Sequence, residues 1–325
     1  MNKMPLVSIL INNYNYARFL QKSIDSALNQ TYSPVEVIVV DDGSTDNSRE
    51  IISSYGNLIV PIIKRNGGQA SAFNAGFKAS KGEIICFLDA DDYYFPSKVC
   101  QIVNYFQENN NAYWLFHQLD DVDINGDYLE LNRNDDISKF SFVDLREKIF
   151  KGHKLPLFPA TSALCFKRDV LQQFFPIPEP LLISADNFLR LAAISLSPGL
   201  LSPAKLAVHR IHGKNLFEFR PDGELIDAEI NIKTCYYLRK LFPKTQSYAN
   251  IIYSHSVGQL AGKANLLKVL QIPESKKYIK QYFSLKFALT GGIRILYNYI
   301  KAIQNSLRPF GKTSGLQNSE LEIKK

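Results

Sequence analysis

No run of about 18 consecutive apolar residues, the length that a membrane-spanning helix needs, occurs in the sequence. The amino-terminal residues lack the basic, apolar and small-residue succession of a secretory signal. Only four cysteines occur among 325 residues, and none forms a CxxC pair: Cys86, Cys100, Cys165 and Cys235. These absences exclude a disulfide scaffold and predict a cytoplasmic protein with reduced thiols, either soluble or peripheral on the inner membrane face.

Two nucleotide-binding signatures are also absent. The glycine-containing segment 66–76 matches neither GxGxxG nor GxxxxGK[ST], which weighs against a dinucleotide-binding fold and a P-loop. It does place Gly67 and Gly68 at the start of a predicted helix of small residues. There the backbone can approach a ligand closely, and the helix N-terminus favours negative charge.

Acidic residues are missing from residues 275–319, although the whole chain has a net charge of +7. Eight basic residues lie in that segment: Lys276, Lys277, Lys280, Lys286, Arg294, Lys301, Arg308 and Lys312. The rest of the chain is therefore close to neutral. The basic character belongs to the tail and does not indicate a nucleic-acid partner.

Four short apolar runs open the chain, at residues 6–11, 35–40, 58–63 and 84–88. Their continuity is typical of strands that are buried on both faces of a parallel sheet. Helix-like segments at about residues 19–29, 46–54 and 69–79 separate them. The alternation predicts right-handed βαβ crossovers and a doubly wound α/β sheet, whose ligands bind beyond the carboxyl ends of the strands.

Residues 112–215 are less regular. Strands are predicted at about 113–117, 161–166 and 206–211, and a helix at 185–195. From about Glu224 the pattern is helical to near Leu307, with breaks predicted at Pro243, Pro273 and Gly291-Gly292.

Acidic residues follow the fourth apolar run as Asp89-Ala90-Asp91-Asp92. Carboxylates this close repel each other unless a cation lies among them, and their hard oxygens suit Mg²⁺ or Mn²⁺. The alternative is an acidic loop that caps the helix starting near Pro96.

A second acidic turn, Asp41-Asp42-Gly43-Ser44, follows the second run. A carboxylate here can accept a hydrogen bond from a base or a ribose hydroxyl, whereas Asp46 is placed to cap the next helix. Asp-Gly turns are common, however, so this turn alone is weak support for a ligand site. Tyr14, close to Asn12, can stack on a planar base or simply pack within a loop.

Together these segments resemble the family 2 inverting glycosyltransferases of the GT-A fold. The match comprises Val7 to Asn15, Val39 to Asp46, Asn66 to Gly76 and Gly82 to Asp92. It is strong over residues 5–100 and looser to 215. The resemblance implies an α/β fold with a mostly parallel nucleotide-binding sheet flanked by helices. It suggests a catalytic domain at residues 1–220. The helical pattern and the basic residues described above predict a helical extension with a basic tail at 221–312, and the composition of 313–325 predicts disorder.

The resemblance also implies roles for individual residues. Those placed in the nucleotide-sugar pocket are Asn12, Tyr14, Asp42, Asn66, Gln69, Asp89 and Ala90. Asp42 is expected to meet the base and Asp91 the metal, Mn²⁺ or Mg²⁺, while Asp92 is expected to hold the loop in shape. His212 lies in a segment resembling the loop that closes over the diphosphate, as a metal ligand or phosphate donor, or as an ordinary surface histidine.

Asp186 matches the catalytic base of this family, at the start of a later helix. Ala185 stands where relatives usually have Glu, and an N-cap aspartate is the alternative. Phe73 occupies a position that is Arg in many relatives, so a pyrophosphate contact is expected to be missing or supplied elsewhere.

The implied activity is inverting transfer of a sugar from a nucleoside diphosphate, UDP by preference, to a hydroxyl of a glycan or lipid-linked acceptor, in polysaccharide or glycoconjugate synthesis. An inactive nucleotide-sugar-binding module is the main alternative, which the presence of both Asp91 and Asp186 disfavours. A nucleotidyltransferase is a weaker alternative, because the residues after the first strand are not a glycine-rich phosphate loop.

Apolar residues recur at helical spacing in the tail: Ile293, Leu296, Tyr297, Ile300, Ile303 and Leu307. Polar residues fall on the other side: Arg294, Asn298, Lys301, Asn305 and Arg308. One interpretation is that the apolar stripe packs on the other C-terminal helices. The other is that the helix rests on an anionic inner leaflet and brings the active site to a lipid-linked acceptor.

Overall fold

A computed structural model describes residues 4–131, 137–213, 215, 222–282 and 285–307. The strands within these residues are β1 (Val7–Asn13), β2 (Val35–Asp41), β3 (Val60–Ile63), β4 (Ile84–Asp89), β5 (Tyr93–Tyr94), β6 (Trp114–Val122), β7 (Ser141–Val143), β8 (Leu164–Lys167) and β9 (Gly199–Arg210). The helices are α1 (Ala17–Leu28), α2 (Ser48–Ser54), α3 (Gln69–Ala79), α4 (Lys98–Glu108), α5 (Arg146–Lys151), α6 (Arg168–Leu171), α7 (Ala185–Leu196), α8 (Gly223–Leu241), α9 (Gln246–Lys263), α10 (Leu266–Gln271), α11 (Pro273–Tyr282) and α12 (Leu285–Leu307).

One sheet organises the amino-terminal two thirds of the chain, in the order β3-β2-β1-β4-β8-β6-β9-β5, with β7 paired to β9. The strands β1 to β4 pair in parallel, as predicted, and β8 joins β4 in antiparallel orientation. In this register Asn13 lies opposite Asp41, and Asn12 lies opposite Asp89. The polar residues that end β1, β2 and β4 therefore meet at one edge of the sheet.

The two faces of the sheet are both covered, which explains the continuous apolar runs. On one face, Ile9 and Ile11 pack with residues of α1 and α4. On the other face, Leu10 packs with residues of α3 and α7. The strand β3 is an exception to the predicted burial, because Val60 is 41% exposed and Ile63 49% exposed. It pairs only with β2 at the edge of the sheet, so its outer side lacks a neighbouring strand.

The C-terminal helices form a separate apolar cluster, with contributions from α8, α9, α11 and α12. Two glycines of α9 bring α12 close. A Cβ atom on Gly258 would lie 2.6 Å from the carbonyl oxygen of Ile295, and one on Gly262 would lie 2.7 Å from Cβ of Ala302. The predicted break at Gly291-Gly292 is wrong, since α12 continues through both residues. A Cβ on Gly291 would lie 3.0 Å from both the Phe287 ring and Ser254 Oγ, so its glycine serves close packing within the helical cluster.

The helix α12 packs on α9 through the face opposite to its predicted apolar stripe. Within the stripe, Ile293 is 70%, Leu296 59%, Tyr297 62% and Ile300 44% exposed. The interpretation in which this stripe packs on the other C-terminal helices is therefore wrong. The side chain of Leu307 and residues 308–325 lie outside the described residues, as do the predicted disorder of 313–325 and the domain boundary within 216–221. No described helix is both long and apolar enough to span a membrane.

Candidate functional site

A cavity of about 350 Å³ opens at the edge where β1, β2 and β4 end. Nine of the ten predicted site residues line it: Asn12, Tyr14, Asp42, Asn66, Gln69, Asp89, Ala90, Asp91 and Asp186. The tenth, His212, is not part of the cavity lining but contacts Asp91, which is. Sequence segments far apart in the chain thus form one site.

The carboxylate of Asp42 holds the glycine turn in place. It accepts hydrogen bonds from the backbone N–H of Gly67 at 3.0 Å and of Gly68 at 2.7 Å, and it forms an ion pair with Lys64. Gly43 has a φ of +82°, and a Cβ there would lie 2.5 Å from the backbone N of Asn66, so a side chain would force the two turns apart. These bonds already occupy much of the carboxylate. The expected contact of Asp42 with a base stays a prediction.

The end of β1 presents amide groups to the cavity. Nδ2 of Asn12 donates to Asp89 at 2.8 Å, while Oδ1 of Asn12 is buried with no hydrogen-bond partner among the described residues. A buried acceptor without a partner is costly, so this atom is suited to receive a donor group from a ligand. Tyr14 is 40% exposed at the cavity, in a position open to a stacking ligand.

The carboxylates of the acidic turn after β4 lie in different environments. Burial, with the carboxylates of Asp91 and Asp92 nearby, raises the pKa of Asp89 well above its usual range. Asp92 accepts from Ser162 Oγ at 2.6 Å and from the backbone N–H of Arg210 at 2.8 Å. The loop-holding role predicted for Asp92 agrees with these bonds, which tie the turn to the residues before β8 and to the end of β9.

Lys98 packs beneath this turn, and no pattern in the sequence predicts that contact. Its Nζ is fully buried, donates to the carbonyl oxygen of Ser162 at 2.6 Å and lies 3.4 Å from the centre of the Tyr94 ring. Burial lowers the pKa of this lysine. A lysine in the first turn of a helix is normally solvated, so only the tertiary structure identifies it.

Asp91 and His212 form the part of the site that can hold a metal. Oδ2 of Asp91 lies 3.1 Å from Nε2 of His212, whose ring stacks on Phe19 with centroids 4.9 Å apart. His212 is buried and so is not the surface histidine of the alternative interpretation. The described residues contain no group of three or more His, Cys, Asp or Glu side chains arranged around a cation. One carboxylate and one imidazole fit a Mn²⁺ or Mg²⁺ ion that takes its remaining ligands from phosphates and water.

Asp186 enters the cavity from the first turn of α7. The N-cap of α7 is Ser184, with a φ of +51°, so Asp186 is not the N-cap residue. The backbone N–H of Ala185 donates to Oε1 of Gln69 at 2.8 Å, which fixes the start of α7 against the start of α3. Arg190 forms an ion pair with Asp186 at 3.2 Å, a contact that sequence analysis missed although the i,i+4 spacing would have revealed it.

Two further residues near the cavity lie at the end of β9. Nε of Arg210 donates to the carbonyl oxygen of Asp91 at 3.0 Å, and His209 pairs with Asp121 at 2.9 Å. Phe73, by contrast, packs against Phe87 in the core with ring centroids 4.8 Å apart. No polar contact to a ligand is therefore available from the Phe73 side chain.

The sheet order, the glycine turn and the acidic turn at one cavity define a protein of the GT-A fold. Residues 8–175 match the family model described as glycosyl transferase family 2, and the chain belongs to this family. An uncharacterized glycosyltransferase of Nostoc sp. is 41% identical over 214 residues, which cover 64% of this chain and 66% of that protein. The chain thus matches just under two thirds of that relative's length.

Solved structures show the same fold at low sequence identity. Staphylococcus aureus TarS 1-349 in complex with UDP-GlcNAc has a TM-score of 0.58 and 15% identity, covering 92% of this chain and 82% of that one. The mannosyltransferase PcManGT of Pyrobaculum calidifontis, in complex with GDP-Man and Mn²⁺, has a TM-score of 0.54 and 15% identity, covering 94% and 89%.

Proposed function

We propose that the protein is an inverting glycosyltransferase that moves a sugar from a nucleoside diphosphate to an acceptor hydroxyl, in polysaccharide or glycoconjugate synthesis. The observation that carries this proposal is that Asp91 and Asp186 line the same cavity from different elements. In this proposal Asp91 acts on the diphosphate side and Asp186 on the acceptor side. UDP is the preferred donor nucleotide, and the UDP-GlcNAc complex of TarS is consistent with it.

In this proposal Asp186 is the general base. Its carboxylate takes the proton of the acceptor hydroxyl while the acceptor oxygen bonds to the anomeric carbon and the nucleoside diphosphate leaves from the opposite face. Arg190 holds the carboxylate in orientation through their ion pair. A single displacement of this kind inverts the configuration at the anomeric carbon and needs no covalent enzyme intermediate.

Asp91 and His212 would hold a divalent cation, Mn²⁺ or Mg²⁺. Such an ion, when bound, neutralises the charge of the departing diphosphate. The Mn²⁺ in the complex of PcManGT is consistent with this assignment. Because the chain offers only two ligands here among its described residues, we expect the cation to bind tightly only together with the nucleotide.

The alternative of an inactive binding module would retain nucleotide affinity without turnover. The decisive experiment is a panel of nucleotide sugars with Mn²⁺, in which release of the nucleoside diphosphate and the anomeric configuration of the product are both measured. We expect release from one donor, an inverted product, and loss of both release and Mn²⁺-dependent nucleotide binding in Asp91→Ala. Full activity in excess EDTA would contradict the metal assignment, and a retained configuration would contradict the mechanism.

We further propose that α12 places the enzyme on the anionic inner face of a membrane, near a lipid-linked acceptor. The exposed apolar stripe of α12 supports this, because Ile293 and Leu296 would otherwise remain in water. Arg294 and Lys301 are exposed on the same helix, and each basic residue near such a surface contributes about 1 kcal/mol. A neutral apolar partner would not use these charges.

Co-sedimentation of the full chain with vesicles tests this surface. We expect binding to anionic vesicles that weakens with salt and is lost when Ile293 and Leu296 are both changed to Glu. Leu58→Glu is the matched control, because Leu58 is 68% exposed and lies far from α12 in the sequence. Equal binding to neutral vesicles, or concentration-dependent dimerisation that the double variant abolishes, would assign the stripe to another partner.

A further inference from the structure

A second cavity, of about 300 Å³, adjoins the one described above. The two share Ala160, Ser184 and Asp186 in their linings. The candidate base thus stands on the boundary between two chambers. A group held in the second chamber reaches Asp186 without entering the space assigned to the donor.

The helix α8 supplies part of the second cavity through Asp227, Ile230 and Asn231. This helix lies outside residues 8–175, which match the family model. It is joined to the site by a hydrogen bond, since Nδ2 of Asn187, next to Asp186, donates to Oδ1 of Asn231 at 3.3 Å. The C-terminal extension is therefore a component of this chamber and not only an appendage of the domain.

The lining combines apolar and hydrogen-bonding groups. The apolar contribution includes Phe158, Pro159 and Ile230, and the polar contribution includes Gln118, Asn231 and Asp227. A sugar ring has the same two characters, with an apolar C–H face and a rim of hydroxyl groups. A lipid chain would leave the amides and carboxylates without partners, which is costly in a half-buried chamber.

The charges in the lining disfavour an acidic ligand. Among the described residues that line the chamber, Arg190 is the only cation, and it is engaged by Asp186 and by the carbonyl oxygens of Phe158 and Pro159. Asp121 and Asp227 contribute two further carboxyl groups to the same lining. Burial raises the pKa of Asp227. Whether ionised or protonated, its carboxyl group can form hydrogen bonds with hydroxyl groups.

We propose that this chamber is the acceptor site, that it takes an uncharged saccharide, and that Asp227 and Asn231 of α8 hold the acceptor's hydroxyl groups. The inference rests on the proposed function and names the acceptor class of the same site. It assigns to the extension a role in acceptor selection that is independent of any membrane contact.

Binding can be measured without knowing the donor. The probes are p-nitrophenyl glycosides of neutral hexoses and N-acetylhexosamines, with the corresponding uronides, observed by saturation-transfer NMR on the full chain with UDP and Mn²⁺ present. We expect signals from at least one neutral glycoside, none from its uronide, and weakening of about tenfold or more in Asn231→Ala and Asp227→Ala. In transfer assays the same variants should raise the acceptor KM with little change in kcat.

The matched control is Glu229→Gln, which removes a charge from α8 at a side chain that pairs with Lys233 and lies outside the cavity lining. Asp227→Asn provides a conservative variant that keeps the size of the side chain, and titration with UDP reports the integrity of the donor cavity in every variant. Neutral glycosides that bind equally well to Asn231→Ala and Asp227→Ala, no binding of any neutral glycoside, or preferred binding of uronides would each overturn the inference. Failure of the wild-type chain to bind any nucleotide sugar would instead overturn the proposed function.

Discussion

Replacement of Asp186 by Asn tests the role of this residue as the catalytic base. The variant keeps the size of the side chain and can still accept a hydrogen bond, but it cannot take a proton from the acceptor. General-base catalysis contributes about 100-fold to 10,000-fold, so we expect turnover to fall by at least about 100-fold, or roughly 2.7 kcal/mol in activation free energy.

The same change also weakens the ion pair with Arg190, whose side chain is 14% exposed against 10% for Asp186. Removing one partner of a fully buried pair costs about 3–5 kcal/mol in unfolding free energy. Here the cost should be smaller, about 1–3 kcal/mol, because Arg190 keeps its bonds to the carbonyl oxygens of Phe158 and Pro159 and asparagine still accepts. The catalytic and structural losses therefore need separate measurements.

Arg190→Met is the control that distinguishes them, since it breaks the same ion pair and leaves the carboxylate in place. The assay measures kcat with saturating donor and acceptor, the Kd of UDP by calorimetry, and the midpoint of thermal unfolding. We expect a loss of stability in both variants, greater in Arg190→Met because it also removes the bonds to the carbonyl oxygens of Phe158 and Pro159. We further expect unchanged UDP affinity and a much greater loss of kcat in Asp186→Asn. Turnover of Asp186→Asn within about tenfold of the wild type, or equal to that of Arg190→Met, would refute the base assignment.

Two further predictions concern stability. Burial lowers the pKa of His117 well below its usual range, so the folded state keeps this side chain neutral while the unfolded chain takes up a proton below its pKa of about 6.5. Denaturant titrations should therefore show His117→Leu gaining about 2 kcal/mol in unfolding free energy relative to wild type between pH 7.5 and pH 5. A difference that does not change with pH would mean that His117 has the same pKa in the folded and unfolded states. Gly258→Leu should separate α12 from α9 and cost about 1–3 kcal/mol, measured by thermal unfolding and by faster hydrogen exchange in α12 with Leu58→Ala as the control; unaltered protection of α12 would contradict the packing of these helices.

The parallel strands of the sheet and most of the cavity could be predicted from the sequence. The apolar composition of the runs that form β1, β2 and β4 predicts that these strands are buried, and polar residues directly follow them in the chain. The carboxyl ends of parallel strands meet at one edge of a sheet. Recognising these strands therefore predicts that the polar residues at their ends lie close together: Asn12, Asp42, Asp89 and Asp91. Asp186 was placed by family resemblance, since nothing in its local pattern distinguishes a base from a helix-terminal aspartate.

The groups that support and complete the site depend on contacts between residues distant in the chain. Lys98 and Ser162 are 64 positions apart and meet because α4 and the residues before β8 pack beneath the same turn. Likewise, the pattern of α12 specified an apolar stripe but not the direction that it faces. That direction is set by Gly258 and Gly262 of a different helix, which admit the backbone of α12 so closely that the apolar stripe on its far side is left exposed. Periodicity along a segment encodes its amphipathic character, whereas the face that docks depends on the steric fit of a partner distant in the sequence.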